Sequence, residues 1–356
     1  MTKERKKKII KYLLFSLIIL FISFFAFRLI TRDQNMNQIL DKIADTDKLW
    51  LTLGALLVML FVVLESVQLK MLFDGMDCHT SFGKCVLLSN VGFFFSLLTP
   101  GASGGQPMQI VYMNLIGIDI LVATLTCMIV TVIYKFVLVL LFAFFFLLRP
   151  ELVSNAIPDV WLLFIIGLIV QIGFMIFLML CVFRPPLASS ILDSLINSGT
   201  KLHLIKDPQK WKSRAKDSLT RYTRASDFLK DNKLVMLKML LVTIIQRLAY
   251  FSVTFCVAKA LFIHGCDWIS ITAIQVVLAL AVDVIPIPGS AGLNEYVFMD
   301  LQDKLFGSEF VSAGVLLNRG LTFFFLIAIT GILTIAATIY FNRLQRKGSS
   351  SDDYNQ

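Results

Sequence analysis

Six ionisable residues lie inside long apolar stretches of the chain: Glu65, Lys135, Arg247, Asp283, Glu295 and Arg319, with Gln68, Gln106, Gln171, Gln246 and Asn318 near them. In lipid such groups are expensive and must face a protein interior, where they either neutralise one another or hold a charged ligand. Three acids against three bases leave both readings open. Lys135, Arg247 and Arg319 fall near the middle of their stretches and are the candidate contacts for an anionic group. Glu65, close to the end of its stretch, reads as structural, with Lys70 reaching it by snorkelling.

A second source of positive potential is the backbone. Thr99-Pro-Gly-Ala-Ser-Gly-Gly-Gln-Pro107 has a partial copy nearly two hundred residues later, Ile287-Pro-Gly-Ser-Ala-Gly-Leu-Asn-Glu295. Pro100 falls on Pro288, Gly101 on Gly289 and Gly104 on Gly292. Proline removes a donor and glycine opens dihedrals closed to other residues, so each motif should break one helix and start another. The restarted helices would present N-terminal amides at Gly104, Gly105 and Gln106, and at Gly292, Leu293 and Asn294, which suit a phosphate. The candidate binding set is therefore Thr99, Pro100, Gly101, Gly104, Gly105, Gln106, Lys135, Arg247, Pro288, Gly289, Gly292, Asn294, Glu295 and Arg319. Asp283 and Glu295 are the candidates for coupling to an ion, and the second motif is the one that carries a titratable group.

The elements that must hold these residues are membrane helices. Hydrophobic residues make up 57% of the 356, mean hydropathy is +0.78 and 31 residues are Phe. A span needs about 20 apolar residues, which predicts spans over 12–30, 49–72, 118–148, 159–183, 234–263 and 311–341. Two further apolar stretches, 85–98 and 268–285, run into the broken motifs and predict re-entrant loops at 85–116 and 268–306. The Phe triplets at 93–95, 144–146 and 323–325 are expected to face lipid.

Charge sets the orientation. Lys3, Arg5, Lys6, Lys7, Lys8 and Lys11 precede the first span, and Lys201, Lys206, Lys210, Lys212, Arg214, Lys216, Arg221, Arg224 and Lys230 crowd the connector after Arg184. Residues 31–48 and 149–159 are neutral or acidic and read as outer loops. The positive-inside rule puts both termini and the connector in the cytoplasm. That holds only with six full helices and two re-entrant loops entering from opposite faces, an all-α integral membrane protein with inverted-topology repeats. The divisions are an N-terminal segment and anchor (1–48), a first repeat (49–148), a linking helix (149–183), a basic connector (184–233), a second repeat (234–341) and a tail (342–356). The first apolar run has no small-residue cleavage site and ends in Arg28, so it reads as an anchor and not a signal peptide.

Other chemistry finds little support. Cys78, Cys85, Cys127, Cys181, Cys256 and Cys266 are scattered and show no C-x-x-C, so they read as small core residues, with no metal site. His203 and Asp207 are one residue short of the acyltransferase H-x-x-x-x-D spacing and sit in the basic connector. No nucleophile elbow, P-loop or dinucleotide fingerprint occurs, so no catalytic residue and no cofactor is expected. The connector's basic residues suit anionic lipid headgroups and not nucleic acid.

The paired motifs, Thr99-Pro-Gly-x-x-Gly-Gly-Gln-Pro107 with Pro286-x-Pro-Gly-x-x-Gly-x-x-Glu295, resemble the membrane domain of the lysylphosphatidylglycerol synthetase/flippase family, the multiple peptide resistance factor proteins and their stand-alone relatives. The resemblance covers nearly the whole chain. It implies a bacterial cytoplasmic-membrane protein that moves anionic or aminoacylated phospholipid between leaflets and contributes to resistance against cationic peptides. Full-length members add a soluble aminoacyltransferase. This chain ends a dozen or so residues after its last helix, so that domain is expected to be absent and a lysyltransferase label would rest on the family alone. The partners implied are membrane phospholipid and either further copies of the chain or a separate lipid-modifying enzyme. An ion-coupled solute transporter is the remaining alternative. Gln106, where an acid would make the motifs alike, argues against a charge-paired mechanism that uses both loops equally.

Overall fold

The computed structural model describes residues 36–76, 78–184, 230–283 and 292–352, with isolated positions between 186 and 227 and Ile285. The expected span at 12–30, most of the basic connector and the site residues Pro288 and Gly289 lie outside the described residues.

Every regular element among the described residues is a helix. In chain order they are α1 (Met36–Ala44), α2 (Lys48–Gly75), α3 (Phe82–Leu98), α4 (Gly105–Leu115), α5 (Ile120–Leu148), α6 (Pro150–Phe183), α7 (Lys233–Ala260), α8 (Trp268–Val282), α9 (Leu293–Phe306), α10 (Val311–Arg319) and α11 (Leu326–Asp352), with a π-helical turn at Gly320–Phe325 joining the last two. Among the described residues, five helical stretches are long and apolar enough to cross a bilayer: Lys48–Gly75, Ile120–Leu148, Val160–Phe183, Lys233–Ala260 and Val311–Arg343. The chain is an all-α, multi-pass membrane protein. At about 1.5 Å per residue the four helices α3, α4, α8 and α9 are shorter than these stretches by about a third or more.

Local chemistry fixes several starts. Asp47, Asp119 and Asp267 cap α2, α5 and α8, their carboxylates accepting from the amides of Leu49 at 2.8 Å, Leu121 at 2.9 Å and Ser270 at 2.6 Å. Each cap satisfies one of the orphan donors of a first turn. Three local expectations need correction. Residues 36–44, assigned to an outer loop, form α1, whose strong amphipathic pattern has no room in a span-length search. Residues 150–158 are likewise helical, because proline at α6's first position costs no hydrogen bond. The loop-like break comes later, at Pro158 and Val160 (φ −127°, ψ 20°), so the apolar span itself does begin where expected. The Phe triplets do not simply face outward: Phe145 and Phe323 are buried, while Phe144 and Phe324 are exposed.

The central contact is α2 against α7, antiparallel. Asp47 donates its amide to the Ala260 carbonyl at 3.0 Å at one end, Trp50 meets Phe255 edge-on, and Gln68 donates to Gln246 at 2.9 Å toward the other. Gln246 passes the bond on to the Phe61 carbonyl at 3.0 Å. Gln68 and Gln246 are both buried, so this relay ties the two helices together.

The half-length helices fold into two hairpins. Hairpin one, α3 with α4, starts beside the end of α2 and returns to the same end of the bundle, where Tyr112 meets Thr338 at 2.6 Å and the Phe341 ring. Hairpin two, α8 with α9, starts and ends at the opposite end. There Arg149 pairs with Asp267 at 2.7 Å, Cys266 donates to the Leu305 carbonyl at 2.8 Å and Lys42 pairs with Glu309 at 2.8 Å. Both halves thus run long helix, two short helices, long helix, with the leading helices antiparallel. α6 supports hairpin two through Gly167, whose missing Cβ lets the Leu280 carbonyl close onto it.

Candidate functional site

Hairpin one turns through Gly101 and Ala102, both in the left-handed region at φ 57° and 54°. For alanine that conformation costs about 1–2 kcal/mol, and the Thr99 side chain helps to impose it. Its hydroxyl donates to the Phe95 carbonyl at 2.6 Å and accepts from the Gly104 amide at 2.8 Å, closing one helix and opening the next. Gly105 is buried against Ser96 and the Gly92 carbonyl, where a Cβ would collide with both. From the first turn of α4, Gln106 donates to the hydroxyl of Thr131 on α5. One turn on, Gln109 donates to the Leu88 carbonyl and to the Glu65 carboxylate, both at 3.3 Å. Glu65 therefore faces hairpin one, and the expected partner Lys70 pairs with Asp74, one turn further along α2.

Hairpin two restarts at Gly292, which takes φ 85°, a value open to glycine. Glu295, in the first turn of α9, spans two donors with its two oxygens. Oε2 accepts from the Gly292 amide at 2.7 Å and Oε1 from Arg319 Nε at 2.5 Å. Both side chains are largely out of solvent, at 13% exposure for Arg319 and 8% for Glu295. The Arg319 guanidinium also lies 5.2 Å from the centre of the Phe323 ring. The preceding residue, Asn318, is buried and accepts from Thr254 on α7 at 3.1 Å. Arg319 is the last residue before the π-helical turn, a departure that recurs where function bends a helix.

These two clamps occupy matching places. The offset that lays Gly104 on Gly292 also lays Thr131 on Arg319 and Gln106 on Asn294, the neighbour of Glu295. Each hairpin is fastened from the first turn of its second helix to the long helix that follows: by a neutral hydrogen bond in the first half, by an ion pair in the second.

A third cluster lies between α5, α7 and the end of α8. Arg247 stacks on the Tyr134 ring at 3.8 Å, with the Phe61 ring at 5.1 Å. The Tyr134 hydroxyl donates to Asp283, the residue that ends α8. Lys135 donates to Gln171 on α6 at 2.6 Å and lies 5.4 Å from the Phe174 ring. Arg247 Nε is buried without a hydrogen-bond partner among the described residues. The Tyr250 hydroxyl lies within electrostatic reach of Arg247, Arg319 and Asp283, so the clusters share one interior.

All three interior cations of the expected set thus sit on long helices. The carboxylates of hairpin two, Asp283 and Glu295, come to them from α8 and α9. Tyr134, Tyr250, Thr131 and Gln109 belong to this constellation and escaped sequence reasoning, since no periodicity marks them. Thr131 alone had a signal, the repeat offset from Arg319. The amides of Gly104 and Gly292, expected to face a ligand, are taken up by Thr99 and Glu295 in this arrangement. Among the described residues no group of His, Cys, Asp and Glu is placed to hold a metal ion.

The model of the lysylphosphatidylglycerol synthase transmembrane region matches residues 9–330. The chain belongs to that family. The matched lysylphosphatidylglycerol synthase region takes in both hairpins and every residue of the three clusters, and ends inside α11. No curated protein matches the chain.

Proposed function

We propose that this protein carries an anionic or aminoacylated phospholipid between the leaflets of a bacterial cytoplasmic membrane. Its headgroup is held between the two hairpins, which we read as re-entrant loops of an inverted-topology repeat. The observation that carries this reading is the array of Lys135, Arg247 and Arg319 on three long helices around the hairpin junctions. A half-buried cation array suits a phosphate, because guanidinium–phosphate bonds are charge-assisted and bidentate. Acyl chains remain in lipid, along the exposed apolar faces of α5, α6 and α11. Arg224, Lys230, Lys233 and Lys238 gather at the end of the bundle where hairpin one opens, which supports a cytoplasmic placement of that end and of both termini.

The test is equilibration of a labelled phosphatidylglycerol between leaflets of vesicles containing the purified protein. Faster equilibration than in protein-free vesicles is expected, and no acceleration with any anionic or aminoacylated lipid tried ends the proposal. Replacement of Arg247 by Gln should slow equilibration at least tenfold, on the scale of about 1.4 kcal/mol per decade for one lost charge-assisted contact. Unchanged flux would remove Arg247 from the site.

The family's description as a synthase region favours a second reading, the membrane component of a lipid-modifying activity with a separate enzyme or a further copy as partner. Protein that leaves preformed lipid unmoved, yet raises aminoacylation of phosphatidylglycerol when a transferase is added, would support it.

A further inference from the structure

The Glu295 carboxylate does to its two donors what a phosphate would do. One oxygen receives a guanidinium N–H and the other the N-cap amide of a 14-residue helix, with both side chains largely closed to solvent. Two non-bridging oxygens of a phosphodiester can accept the same pair of bonds. Glu295 also sits on the element best placed to give way, since α9 has 14 residues while Arg319 is built into the continuous helical stretch Val311–Arg343. Nearby, Arg247 Nε is buried with no hydrogen-bond acceptor among the described residues, a donor still waiting for an anion. Asp283, on the other arm of the hairpin, accepts from the Tyr134 hydroxyl, whose ring lies under Arg247.

We infer that Glu295 is a place-holding anion: it occupies the phosphate position on Arg319 and the Gly292 amide until a ligand phosphate displaces it. This rests on the proposed headgroup site and names the residue that competes for it. The exchange swaps one charge-assisted pair for another, so Arg319 is never left bare in the interior, where an unpaired charge is most costly. The displaced carboxylate needs a partner of its own, either an ammonium on the same headgroup or a proton. A lipid without a phosphate offers nothing to trade and leaves the clamp shut.

The inference predicts a sign that a ligand contact or a structural role would not produce. Binding of short-chain phosphatidylglycerol to the purified full-length protein is measured by titration calorimetry for wild type, E295Q and R319Q. E295Q should bind about tenfold more tightly than wild type, because the competing carboxylate is gone, and R319Q should bind at least tenfold more weakly. Unchanged or weaker binding by E295Q overturns the inference. Where E295Q does not purify as a folded, monodisperse species, E295D decides: it keeps the charge but is too short to span both donors, so tighter binding supports the inference and unchanged or weaker binding overturns it. A short-chain phosphatidylethanolamine arm separates the two fates of the displaced carboxylate, since with an ammonium partner its wild-type affinity is independent of pH and with a proton it rises on acidification. Failure here with vesicle equilibration intact removes only the place-holder; failure of equilibration with the tightening intact removes the transport reading.

Discussion

At the scale of single residues, the arrangement turns on how charge is stored where water is scarce. Arg319 has a carboxylate and an aromatic face, Lys135 has an amide oxygen, and Arg247 has two rings, so the cations are graded in how firmly each is already engaged. Removing one member of a buried pair strands the other, at about 3–5 kcal/mol. R319Q is therefore expected to lower the thermal midpoint markedly in detergent, and E295Q/R319Q to recover most of the loss; a double variant no more stable than R319Q would show that the pair is not the source. Tyr134→Phe keeps the ring under Arg247 but removes the donor to Asp283. It should lower transport while leaving the thermal midpoint within about 1 kcal/mol of wild type in stability, the net worth of one hydrogen bond.

At the scale of elements, the two hairpins were the legible part of the chain. Proline and glycine announce their own consequences, and the motif breaks at Thr99 and before Gly292 fall where the helices end and restart. The five expected spans among the described residues were legible for the same reason, that twenty apolar residues have few other fates. What escaped was geometry without a compositional signature: α1, too short and polar to register as a span; the helical turns ahead of Pro158; and the π-helical turn after Arg319. The partner of Glu65 escaped because nearest-charge reasoning along one helix chose Lys70, while the third dimension supplied Gln109. Close packing of the short helices invites a test. Gly167→Ala drives a Cβ into the Leu280 carbonyl, which is backbone and cannot swing aside, so a loss of about 1–3 kcal/mol is expected. Gly173→Ala, six residues along the same helix with nothing within 4 Å of the new methyl, should be silent in the same melt.

At the scale of the whole molecule, hairpin two is tied down at its base as well as at its tip. Asp267 caps α8 and pairs with Arg149 at the corner of α5 and α6. Partial burial pushes its carboxyl up, but the two hydrogen bonds from Ser270 and the Arg149 charge outweigh this and hold it below the ordinary 3.8. A depressed carboxyl lends stability above its unfolded value and loses it as the pH falls toward the folded one. Acidification from about pH 5 to about pH 3 should therefore loosen the base of hairpin two, and D267N should flatten that part of the stability profile. An identical slope in the variant would place the acid sensitivity elsewhere.

The unlike clamps, Gln106 on Thr131 and Glu295 on Arg319, have a consequence that belongs to detailed balance. On the transport reading proposed above, unequal fastenings would change how long each hairpin stays closed, and so which side of the molecule rests shut. They do not change the ratio of forward to backward crossing for a lipid that is equally abundant on both sides, because every contact broken on the way in is broken in reverse on the way out. A vesicle with matched leaflets must then show equal rates in the two directions, however lopsided the protein. Only a chemical difference between the leaflets, such as a lipid made on one side and removed on the other, or an ion exchanged along with it, can turn this structural asymmetry into net movement.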